Sequence, residues 1–105
     1  MINIGEFCFH GAYSLTGKLK DKSGVYVIFD QKGDVLNFIE AGESNKVKSE
    51  VEMQDMEGKW REQCNGVIAV AVCYTLHLQT SGRKEIVKQI KEEIRKKGGM
   101  AYNLT

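Results

Sequence analysis

The groups in this 105-residue chain best suited to do chemistry are two charged stretches, three thiols and two imidazoles. Residues 83–97 hold seven cations, Lys84, Lys88, Lys91 and Arg95 among them, against Glu85, Glu92 and Glu93, a local net charge of +4. A solvated helix face explains such a run, and so does nonspecific contact with phosphates. Residues 40–57 hold six acids (Glu40, Glu43, Glu50, Glu52, Asp55, Glu57) against Lys46 and Lys48, a local net charge of −4. The two stretches can also pair with each other, head to tail or across a homodimer. Glu85, Glu92 and Glu93 read as solvated residues or i,i+4 partners of lysines. Cys8, Cys64 and Cys73 are odd in number and lack C-x-x-C spacing, which excludes a disulfide framework and a zinc knuckle and leaves buried thiols. His10 and His77 stand in separate segments, where a lone histidine is solvent-exposed rather than catalytic.

The elements that position these groups are punctuated by glycine, since proline is absent. With 42% hydrophobic residues the chain is expected to form one domain over 1–105 with one core. Residues 1–22 read as a lead-in segment with one short strand. VYVIF, the turn residues DQKGD and VLNFIEA then spell a β-hairpin of Val25–Phe29 with Val35–Glu40. Ser44 can cap a short, mostly polar helix with Val47 and Val51 inward, and Trp60 is a core anchor in the ambiguous segment KWREQC. Val67–Thr75 is an unbroken apolar strand, and residues 76–82 are a loop. Ile86, Ile90 and Ile94 recur every four residues, which predicts an amphipathic helix over Arg83–Lys96, capped by Thr80 or Ser81 and ended by Gly98-Gly99. The expected fold is α+β: a small antiparallel three-stranded sheet in β-β-α-β-α order, flanked by helices.

From residue 23 to 103, the words SGVYVIFD and FIEAGES in that element order resemble the GIY-YIG nuclease superfamily, in particular small bacterial members with degenerate catalytic positions. Gly24-Val25-Tyr26 matches the first motif, and Glu40-Ala41-Gly42 the second. The resemblance implies a phosphate site built from two motif tyrosines, a helix arginine and a metal-binding glutamate. Tyr26 keeps the first tyrosine, whose phenol could orient or deprotonate water if a nearby cation lowered its pKa. Glu40 stands at the second. Glu50 stands where the arginine is expected, eight residues after Gly42, and Gln54 where relatives carry a histidine. Arg83 matches an arginine of the last helix, Val87 replaces the metal-binding glutamate four residues on, and Asn103 matches a terminal asparagine without its preceding proline.

An anion in place of a cation turns attraction for a phosphate into repulsion, and valine ligates no metal. The resemblance therefore implies a GIY-YIG-like binding or interaction module without nuclease activity, with no cofactor. A divergent endonuclease, which would need Mg²⁺, is the alternative. The net charge of +1 gives no overall pull toward a polyanion, so Lys84, Lys88, Lys91 and Arg95 are the candidate nucleic-acid contacts. The first residues carry Glu6 and no basic flank, so neither a signal peptide nor a membrane span is expected and the chain reads as cytoplasmic.

Overall fold

Seven consecutive residues, Gly24 to Asp30, are buried, and that run makes one strand the centre of the molecule. The computed structural model describes residues 2–14 and 16–97, and the backbone of Tyr102 and Asn103. Along the chain lie β1 (Ile2–Ile4), β2 (Phe7–Tyr13), a 3-10 turn (Thr16–Lys18), β3 (Gly24–Lys32) and β4 (Val35–Ser44). These are followed by α1 (Val47–Glu57), α2 (Lys59–Gln63), β5 (Val67–Tyr74), α3 (Thr80–Lys96) and the two-residue β6 (Tyr102–Asn103). The expected hairpin, third strand and last helix are all present. α3 starts at Thr80, three residues before the expected Arg83, and the expected stop at Gly98-Gly99 lies outside the described residues.

The sheet is larger than the sequence led us to expect, and the three-stranded fold is overturned. Five strands pair antiparallel in the order β1-β2-β5-β3-β4, with β6 meeting the start of β4. The lead-in segment supplies the two additional strands. Gly5, at φ 59°, makes the tight turn between β1 and β2. Gly11, at φ 122°, sits where the β2–β5 register shifts, and a side chain there would press on the Val70 carbonyl. That irregularity breaks the strict alternation by which a strand is recognised.

Successive residues of β3 point to opposite faces. Val25, Val27 and Phe29 pack with Ile90 and Ile94 of α3 and with Ile2, Ile4 and Phe9 of the N-terminal hairpin. Tyr26 and Ile28 pack with Val47 and Val51 of α1, Trp60 of α2 and Leu19. A bulge in β4 opposite Ile28 and Phe29 inserts Ile39 between Phe38 and Glu40.

Two aspartates hold the connections, and neither was singled out by sequence. Asp21 caps α1 from the lead-in segment: Ser49 donates its backbone N–H (2.9 Å) and its hydroxyl (2.8 Å) to the carboxylate. Ser44, the expected cap, instead accepts the Lys46 N–H. Asp30, read from sequence as a turn residue, is buried in β3. It accepts the backbone N–H groups of Asn65 (3.0 Å) and Gly66 (2.9 Å) and the Cys64 thiol (3.3 Å). The Asn65 N–H and its companions hold the Asp30 carboxyl below its usual range. A Cβ at Gly66 would collide with the Gln31 carbonyl, so glycine is required where this loop meets β3.

Because the folded pKa of Asp30 is depressed, its contribution is full above the ordinary carboxylate pKa and is lost as pH falls through the folded value. Asp30→Asn is expected to lower the urea midpoint at pH 7 and to flatten its decline as pH falls below about 4. Urea titrations of both proteins across that range check this.

Candidate functional site

Tyr26 is the one motif residue that combines a reactive group with a constructed environment. Its register partner across β3 and β4 is Gly42, and a Cβ there would overlap the Tyr26 hydroxyl and ring. The phenol thus lies flat over a backbone position only glycine can occupy. From α1, Gln54 Nε2 donates to the Tyr26 hydroxyl at 3.0 Å and also to the Glu50 carboxylate. Trp60 Nε1 donates to the Glu40 carboxylate, and Ile39, Glu40, Gln54 and Trp60 share the walls of a recess of about 190 Å³. The β4 bulge is what turns both Ile39 and Glu40 toward this side.

Tyr26 is 3% exposed, and burial, followed by the charge of Glu50, pushes its pKa up to about 12. Glu40 and Glu43 push in the same direction, against the Gln54 hydrogen bond. Activation as a base requires the opposite shift. This phenol keeps its proton throughout the physiological range, and the groups around it are anionic or amide.

The remaining motif positions lie elsewhere. Arg83 and Val87 are on α3, across the sheet from Tyr26, Glu40, Gly42 and Glu50. Val87 packs against the core on that side. Arg83, 4% exposed, is consumed by structure: Nε donates to Glu43 (2.8 Å), Nη1 to the Leu78 carbonyl (2.9 Å) and Nη2 to the Thr80 hydroxyl (3.1 Å). Thr80, expected as a cap, spends its hydroxyl there. Of Asn103 only the backbone is described, paired with Val35. Among the described residues no group of three His, Cys, Asp or Glu side chains is placed to hold a metal ion.

The thiols depart from the buried reading: Cys8 is exposed, and Cys64 and Cys73 are half-buried. Burial pushes the Cys64 and Cys73 thiols up, away from the thiolate a nucleophile needs. Cys64 lines a second cleft of about 390 Å³, together with Thr16, Asp55, Trp60 and Arg61. Its charged groups already face each other, Arg61 Nη2 lying 3.2 Å from Asp55.

α3 does bring its cations together. Lys84, Lys88, Lys91 and Arg95 follow one another at spacings of four, three and four, which sets them in one stripe roughly 16 Å long. All four are exposed, and none of these side chains makes an ion pair or hydrogen bond with another described residue. With Val87 and Glu92 they line a shallow groove of about 530 Å³. Sequence reasoning missed the Trp60–Glu40 contact: a buried indole N–H must find an acceptor, but several acids, among them Glu57 and Glu62, stand nearer in the chain than Glu40. No helix among the described residues is long and apolar enough to cross a membrane.

In comparisons with known proteins no family model, no curated protein and no solved structure matches this chain.

The Tyr26–Gly42 contact makes a definite demand on stability. Gly42→Ala is expected to destabilise by about 2 kcal/mol through overpacking, and Tyr26→Phe by about 1 kcal/mol through the lost Gln54 bond. The raised Tyr26 pKa contributes stability that is full below pH 10 and lost as pH rises toward 12. Denaturation of Tyr26→Phe should therefore show a shallower alkaline decline than the parent, measured by urea midpoints from pH 8 upward.

Proposed function

We propose that this chain is a binding module that holds nucleic-acid phosphates along α3 without cleaving them. One observation carries this: the stripe of Lys84, Lys88, Lys91 and Arg95 is exposed and has no internal partner among the described residues. Charges that neutralise one another within a protein lose their pull on a polyanion, and these do not. The other side of the sheet supports the non-cleaving half. A phosphate beside Tyr26 would meet Glu40 and Glu50, and the lysine that lines the same recess, Lys59, lies 3.8 Å from the Glu57 carboxylate, so acids outnumber cations there and oppose the charge that builds in phosphoryl transfer. The GIY-YIG resemblance is retained in this proposal for the hairpin alone, where Tyr26 lies over Gly42. A cytoplasmic location, where such partners are met, belongs to the same proposal.

Fluorescence anisotropy with labelled single- and double-stranded DNA and RNA tests it. Binding should weaken with salt at a slope of about −3 in log K against log salt for four phosphate contacts. Lys88→Glu with Lys91→Glu should bind at least tenfold more weakly, with a slope about two units shallower. Equal affinity for the double variant, or no binding at roughly 50 mM salt, would refute the assignment to α3. Strand cleavage in Mg²⁺ by the parent chain that is lost in Tyr26→Phe would refute the non-cleaving half and restore the endonuclease alternative.

A further inference from the structure

α1 is an unusual surface helix because its outward side is not simply polar. Met53 is 52% exposed and Met56 88%, three residues apart on the crest; Glu57 is exposed beside them, in a 3.8 Å surface pair with Lys59, and Glu52 on the same side accepts the Thr16 hydroxyl and keeps its charge unpaired. Exposed methionines form an adaptable apolar ridge suited to docking another helix. The acids that flank them specify a cationic occupant.

α3 supplies that chemistry. Its stripe presents lysine and arginine stems, which are apolar along their length, beside the half-buried Val87. Laid against α1, the stems would cover the two methionines while the ammonium and guanidinium heads reach the flanking carboxylates. Within one molecule the two surfaces cannot meet, because α1 packs on the Tyr26 and Ile28 side of β3 and α3 on the Val25 and Val27 side.

We propose that the α1 crest of one copy docks on the α3 stripe of a second copy. Since the surfaces lie on opposite faces of the sheet, the contact is heterologous: in a pair the first copy keeps a free α3 and the second a free α1, and assembly runs to a ring or a filament, not to a closed two-fold dimer. This does not rest on the phosphate-binding proposal, but the two share the stripe, so nucleic acid and a second copy compete for it.

Sedimentation velocity on the intact chain tests the contact. At low salt the weight-average mass should rise with concentration to at least twice the monomer, and about 0.5 M salt should return it to monomer. Lys88→Glu with Lys91→Glu, which reverses the stripe, should stay monomeric. Met56→Lys with Glu57→Lys, which reverses the crest at two exposed positions, should stay monomeric too while binding nucleic acid as well as the parent. An equimolar mixture of the two variants should associate again, because each then offers what the other lacks. Unchanged circular dichroism and urea midpoints establish that both variants fold. A parent chain that is monomeric at all concentrations, assembly that survives either reversal, or a mixture that stays monomeric would overturn the proposal. Loss of nucleic-acid binding alone would overturn only the reading of the stripe as a phosphate site.

Discussion

Burial of β3 on both faces is the constraint from which the rest of the molecule follows. A strand covered on one side can alternate apolar and polar residues, but Gly24 to Asp30 have no solvent side, so every side chain must suit one of two interiors. Val25, Val27 and Phe29 meet that requirement with apolar bulk toward α3, and Ile28 does so toward α1. Tyr26 and Asp30 are the two polar side chains in the run, and each has specific partners. Tyr26 has Gln54 and the bare backbone at Gly42, and Asp30 has two backbone N–H groups and a thiol. Leaving either without partners would cost more than the contact itself contributes, which explains why both sites require glycine on the facing chain, Gly42 and Gly66.

This arrangement bears directly on the chemistry available at Tyr26. A phenol placed in the sheet's interior, beside carboxylates, has a pKa moved upward by burial and by charge together. Glu50 is itself held in place by Gln54, and Glu40 by the Trp60 indole, so neither acid swings freely about the site. The hydrogen bonds that organise this face therefore reinforce its acidity, and the same residues that make it well ordered make it a poor place for a phosphodiester.

How much was legible in the sequence varied with the kind of signal. The β3–β4 hairpin, β5 and α3 were readable because each is a sustained pattern: an unbroken β-branched run, or isoleucines at every fourth position. The N-terminal hairpin was not, since β1 has three residues and β2 carries Gly11 and a register shift where alternation should continue. The resemblance placed Glu40, Glu50 and Val87 around one surface beside Tyr26; Glu40 and Glu50 lie on that side of the sheet, but Val87 lies on the other. Periodicity tells which side of a helix is buried but not which face of the sheet that side meets. Asp30 and Asp21 were missed for a related reason: an aspartate near a turn looks the same whether it is solvated or accepts backbone N–H groups more than twenty residues away in sequence.

The two-faced core also explains how a chain of net charge +1 can carry strongly charged surfaces. α1 and α3 sit on opposite sides of the sheet in a molecule whose shortest extent is 23 Å. With the sheet between them and exposed charges screened over about 10 Å at 0.1 M ionic strength, the acids of α1 do little to neutralise the lysines of α3 through solvent. Inside the molecule Arg83 crosses toward the acidic strand, and it is matched by Glu43 at close range with its other nitrogens occupied. The pairing of α3 with the acidic strand is made by Arg83 at its start, and the stripe that begins at Lys84 keeps its charge for whatever approaches from outside. A surface of one sign that its own protein neither pairs nor screens acts on molecules of the opposite sign that approach it, and both uses proposed for the stripe draw on that property.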